Sequence, residues 1–219
     1  MRISNCMKWH VFIGVVAAIL SFQACSGQAH RSAASIMDAK GVVVLSNNYR
    51  KGDLVRFYNE DGSLWYEFTF YYDDTDGKFE FENENFAPFA FHPDYFVLAL
   101  KCVGQYRDRY EVIVNERTGL RKFVEKGDPS IRFETWEEHI QKVFAVGFKL
   151  EKNPIREVPE GIEKNVSLPE GTTFYPVEVK EKWLKVRWDD PQNQGKNGAS
   201  GWVKWRDSDR ILIELYYFS

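Results

Sequence analysis

The chain of 219 residues is poor in the side chains that most chemistry requires. It has four histidines and three cysteines. His10 and His30 precede any segment patterned to fold, which leaves His92 and His139. His92 stands before Pro93 in a loop, where a structural hydrogen bond is expected. His139 sits on the charged side of a helix, between Glu138 and Ile140, where a solvated or half-buried position is expected. A catalytic triad or a histidine-based metal site needs both plus a third group at motif spacing, and no such spacing is present. Catalysis is therefore not expected, and neither is a metal or other cofactor. Cys102 lies on one face of an apolar run with Phe96, Leu98 and Leu100, as a small buried hydrophobe.

An excess of basic charge is also lacking. The chain carries 29 basic and 32 acidic residues. Residues 1–24 hold Arg2 and Lys8 and no acid, so the remainder has 27 basic residues against 32 acidic ones, a net of −5. That balance gives no reason to expect nucleic acid as a partner. No apolar run is long enough for a permanent membrane span, which needs about 20 residues. Residues 11–20 (VFIGVVAAIL) follow the basic leader Arg2 and Lys8 and suit the core of an export signal over 1–24. Cys25 follows Ala24 where the apolar run ends, a partial match to a lipobox, with Phe22 in the place usually held by Leu. Lipidation at Cys25 is expected, with residues 25–40 as a flexible tether. Ordinary cleavage near Ser26 or Ala29, giving a secreted protein, is the alternative. With Cys6 in the leader and Cys25 lipidated, Cys102 has no disulfide partner. The expected location is the cell envelope, in the periplasm or at the outer membrane, with the membrane touched only through the lipid.

Aromatic residues are plentiful. They make up 16% of the chain, much of it in alternating runs, which points to strands. The apolar GVVVL at 41–45 reads as a short strand. Residues 54–59 and 63–72 flank Glu60-Asp61-Gly62, a hairpin signal. Leu64, Tyr66, Phe68, Phe70 and Tyr72 would share one face of the second run. Asp76-Gly77 marks another turn. The acidic stretch around it invites a calcium reading, but Tyr72 and Asn83 would occupy positions that need carboxylates. Residues 110–124 form a second strand–turn–strand unit. Thr135-Trp136-Glu137-Glu138 is a capping box opening a helix that should end near 145–147. The expected fold class is mainly β with one or two helices. It divides into a β-rich region at 41–152, a Pro- and Gly-rich linker at 153–170 and a small barrel at 171–219. Residues 189–200 read as a polar loop.

Trp183-Leu184-Lys185-Val186-Arg187 and Gly201-Trp202-Val203 resemble the W-x-K-V … G-W-V strands of bacterial SH3-like (SH3b) domains, over about the last 50 residues. Gly201 would supply a turn conformation there. Residues 110–124 resemble a degenerate copy, with Leu120 and Phe123 in place of the Gly-Trp pair. Trp136-Glu137-Glu138-His139-Ile140, taken with Gly201 to Trp205, is similar to segments of exported proteins of the Bacteroidota. SH3b domains serve as attachment modules that bind peptidoglycan or peptide. The resemblance thus implies a non-catalytic envelope binding module whose partner is a peptide, peptidoglycan or an envelope protein. Tyr175, Trp183, Trp202, Trp205 and Tyr217 are the candidate ligand-binding residues. A small barrel buries only some of them; Trp183 and Trp202 suit the core best, Tyr175 and Trp205 the surface. The alternatives are a structural subunit of an envelope complex, docking through Leu64, Phe68 and Phe70, and a cell-wall hydrolase using His92 or His139 beside a carboxylate.

Overall fold

A computed structural model describes residues 39–50, 52–69, 83–189, 198–208 and 210–219. The export signal, Cys25 and most of the tether lie outside the described residues. So do Phe70, the Asp76-Gly77 turn and most of the polar loop at 189–200.

The protein is mainly β, with antiparallel sheets and, among the described residues, one α-helix. The larger sheet has eight strands: β1 (Gly41–Leu45), β2 (Val55–Tyr58), β3 (Leu64–Phe68), β4 (Ala90–His92), β5 (Val97–Gln105), β6 (Arg109–Asn115), β7 (Leu120–Glu125) and β8 (Ile131–Glu134). Their spatial order is β3-β2-β7-β6-β5-β1-β8, with β4 also on β5. All five residues of β1 are buried. The alternation of a strand sends Val43 and Leu45 to one face of the sheet and Val42 and Val44 to the other, and each face has its own core. This is why GVVVL is continuously apolar: it is covered on both sides.

Two of the predicted turns lie among the described residues, and both are present. Gly62 takes φ +86° between β2 and β3, and the Asp61 carboxylate accepts from the backbone and hydroxyl of Ser63 at 2.9 and 2.7 Å. Gly119 takes φ +70° between β6 and β7, where Asn115 Oδ1 accepts from the backbone of Arg117 and Thr118. The β6–β7 hairpin, read as a degenerate barrel copy, lies inside the large sheet, bonded to β5 and β2.

The capping box starts α1 (Trp136–Lys142): Thr135 Oγ1 accepts from the Glu138 backbone, and Glu138 accepts from the Thr135 backbone. The helix is shorter than its apolar spacing predicts. Val143 is already extended, because Ala145–Gly147 forms β9 and pairs with β15 (Glu214–Tyr216). A tertiary ladder ends the helix, with no stop residue at that point.

The C-terminal strands are β10 (Tyr175–Lys180), β11 (Trp183–Trp188) and β12 (Ala199–Lys204), followed by the ribbon β13 (Arg206–Asp207) and β14 (Arg210–Ile211). Residues 153–170 are no bare linker. Ile155 is fully buried, Arg156 exchanges two backbone hydrogen bonds of 2.8 Å with Trp202, and Asn153 bonds the backbone of Lys204 through both its amide atoms. The segment forms an extra edge on β12. The C-terminal core (Leu184, Val186, Trp188, Val203 and Trp205) is continuous with Trp136 and Ile140 of α1 and with Val42, Val44 and Ala99 of the large sheet.

Candidate functional site

The five aromatic residues singled out from sequence do not gather in one surface groove. Trp183, Trp202 and Trp205 are buried, and Trp205, expected at the surface, is fully so. Its indole donates to the Glu181 carbonyl at 2.7 Å, which satisfies the polar end that burial would otherwise leave unpaired. Trp183 lies beneath the cations of Lys204 and Arg156, 5.7 and 6.0 Å from its ring. Gly201 is not a turn residue. It lies within β12, where a Cβ would stand 2.3 Å from the Ile155 side chain, so the close approach of the 153–156 segment is what requires glycine.

Tyr217 lines one concavity, while Tyr175 lies beside another without lining it. Tyr175 is half-buried and meets Phe144 edge to face at 5.7 Å. Phe144 falls within the span over which the helix was expected to continue. Because the helix stops at Lys142, its ring is left exposed at the rim of a groove of about 660 Å³. Phe148, Phe174, Tyr216 and Phe218 complete the aromatic lining, with Lys149, Glu214 and Thr172 as polar points along it. Phe148 and Phe174 meet at 4.6 Å. Tyr216 lies over Gly147, where a Cβ would stand 2.7 Å from its hydroxyl oxygen. That hydroxyl donates to Glu214 at 2.8 Å, which fixes the exposed ring and raises its pKa. Nothing local in the sequence marks Tyr216 as a groove residue. The signal needed was the β9–β15 pairing.

On the other side, Tyr217 ends a buried polar chain. His139, expected to be solvated or half-buried, is 4% exposed. Its Nδ1 is 2.8 Å from Glu134 and its Nε2 is 2.9 Å from the Tyr217 hydroxyl. Glu134 also accepts from Lys142 at 2.8 Å and from Arg132. Burial pushes the Glu134 carboxyl up, but hydrogen bonds from His139 and Lys142 and the charge of Arg132 outweigh it, so its pKa falls to about 2. Both ring nitrogens of His139 thus have a hydrogen-bond partner, Glu134 at Nδ1 and the Tyr217 hydroxyl at Nε2. Burial, then the Glu134 charge, pushes the Tyr217 phenol well above its ordinary value. The chain therefore holds a neutral tyrosine and a histidine with both ring nitrogens engaged. His92 is half-buried against the C-terminal tail, 6.1 Å from the Tyr217 ring and edge to face with Phe218 at 4.9 Å.

Cys102 is fully buried, its thiol donating to the Gly104 carbonyl, and burial pushes its pKa to about 11. No group of three or more potential metal-binding side chains occurs among the described residues. Among them, too, no helix is long and apolar enough to cross a membrane. Comparison with family models, with curated proteins and with solved structures returns no match.

Proposed function

We propose that this protein is a non-catalytic binding module of the cell envelope, exported and tethered through Cys25. In this reading it holds a peptide or glycan segment in the groove between β9, β15 and residues 171–174. The observation that carries the reading is the groove itself. It is open, about 660 Å³ in volume and rimmed by Phe144 and Tyr216, each with more than a third of its surface exposed. Flat rings with polar groups at their edges suit both a sugar face and an extended peptide. The resemblance of β11 and β12 to SH3b strands supports attachment to cell-wall material as the role. The ligand surface is then displaced from the barrel tryptophans to the neighbouring groove.

The chemistry of the remaining candidates supports a non-catalytic reading. The Cys102 thiol is protonated at neutral pH, and the Tyr217 phenol is still harder to ionise. His139 lies beside a carboxylate, as a hydrolase would require, but its Nε2 is engaged by Tyr217. Docking through Leu64, Phe68 and Phe70 finds little support, since Phe68 is buried among Phe57, Phe86 and Phe91.

The test is retention on purified peptidoglycan and on immobilised envelope extract. Wild-type protein should be retained. Phe144→Ala and Tyr216→Ala should each weaken retention by about tenfold, as loss of an aromatic contact worth about 1.4 kcal/mol predicts, with circular dichroism unchanged. Equal retention of both variants would remove the groove from the account, and no retention of the wild type would remove cell-wall attachment.

A further inference from the structure

One wall of the aromatic groove is a single strand. Glu214 and Tyr216 of β15, with Phe218 and Ser219 after it, line the groove. Three residue pairs hold β15 to β9: Glu214 with Gly147, Leu215 with Val146 and Tyr216 with Ala145. The ladder stops at Tyr216. Among the described residues, no hydrogen bond outside a ladder involves the backbone of residues 217–219. Strand alternation turns Leu215 and Tyr217 inward, and both pack against the shared core. A strand with so short a ladder and two exposed residues belongs to the low-stability end of a structure, where local opening occurs.

Side chains hold the strand past the ladder. Phe218 stacks on Tyr95, with ring centroids 3.9 Å apart and planes 5° from parallel. That stack is open to water, because Tyr95 is 56% exposed. The Tyr217 hydroxyl meets His139 Nε2 at 2.9 Å, and Glu134 holds the other ring nitrogen at 2.8 Å. His139 is buried, so water replaces this bond poorly when the strand lifts. Glu134 and His139 belong to β8 and α1, so the bond ties the strand to the body of the protein.

We propose that residues 214–219 form a strap that opens without unfolding the rest of the protein. The Tyr217–His139 bond fastens it, and the groove holds its ligand only while the strap is closed. This last part rests on the groove being the binding site. An open strap removes Tyr216 and Phe218 from the lining and leaves Phe144, Phe148 and Phe174. Closure and binding are then linked: a ligand that needs the closed strap suppresses its opening in proportion to its occupancy. Tyr217 is a positioning residue, facing away from the ligand.

Native-state hydrogen exchange on the full chain reads each part. Amides of the β9–β15 ladder should exchange through an opening that leaves Val43 of β1 protected. Tyr217→Phe keeps the ring and removes the hydroxyl, and should speed ladder exchange about tenfold. His139→Asn has no group at the Nε2 position, so adding Tyr217→Phe to it should change ladder exchange little further. Ladder amides that exchange only together with Val43 overturn the strap. A Tyr217→Phe effect of equal size in both backgrounds overturns the fastening. Soluble fragments of digested peptidoglycan, at a concentration that displaces the protein from intact peptidoglycan, should slow ladder exchange several-fold. Unaltered exchange overturns the link between closure and binding. Phe144→Ala then separates the causes: weakened retention keeps the groove and faults the link, whereas unchanged retention faults the groove itself.

Discussion

The large sheet and the C-terminal strands solve the problem of burial differently. The large sheet closes one of its faces with its own aromatic residues: Phe57, Phe68, Phe86 and Phe91 lie with ring centroids 5.2 to 6.1 Å apart, beside Val43, Leu100 and Val114. The strands β10 to β14 have no such private core. Leu184, Val186, Trp188 and Trp205 are buried only together with α1, with Ile155 of the preceding segment and with the second face of the large sheet. Contacts among its own strands and loops make the first region self-sufficient on that face. The second borrows its cover from α1, from Ile155 and from the large sheet, and the two concavities lie where that cover ends.

The strongest way to break the contrast is to empty the shared core. Trp205→Ala removes a fully buried indole and its bond to Glu181, and should cost about 3–5 kcal/mol. In urea denaturation, fluorescence and far-ultraviolet dichroism should shift together. A variant in which the C-terminal strands melt first, leaving the sheet folded at its wild-type midpoint, would show that the core is not shared.

A smaller effect concerns the joint between the regions at Glu134. Its folded-state pKa of about 2 lies below the ordinary carboxylate value, so it stabilises the protein above about pH 4.5. That contribution fades as pH falls from there towards 2, and is on the order of 2 kcal/mol. Denaturation midpoints measured between pH 7 and pH 2.5 should fall more steeply for wild type than for Glu134→Gln. Identical slopes would mean that the polar chain adds nothing to the joint. Gly201→Ala should cost about 1–3 kcal/mol by pushing Ile155 away from β12, while leaving the large sheet's own core intact. A neutral result in thermal melting would show that the 153–156 segment yields easily.

Much of the local structure was legible. GVVVL, Asp61-Gly62 and the Thr135–Glu138 box each carry their signal within a few residues, and each forms the element it announces. What escaped depends on distant partners. The helix end at Lys142 is set by the pairing of Ala145–Gly147 with Glu214–Tyr216. Ile155 reads as part of a proline-rich linker until Trp202 is known to lie beside it. His139 is polar in the helical pattern yet buried, because Glu134 and Tyr217 close over it from other elements. Trp205 was assigned to the surface by counting rings against a small barrel. The count failed because the C-terminal strands share a larger core. The groove escaped for the same reason, since Phe144 becomes exposed only once the helix is cut short.

Native-state hydrogen exchange on the intact chain tests the shared core most directly. The slowest amides of β1 (Val43 and Val44) and of β11 (Leu184 and Val186) should exchange with one common opening free energy, equal to that of global unfolding. Faster exchange of the β11 amides, through an opening that leaves β1 protected, would contradict a shared core and restore an autonomous C-terminal barrel.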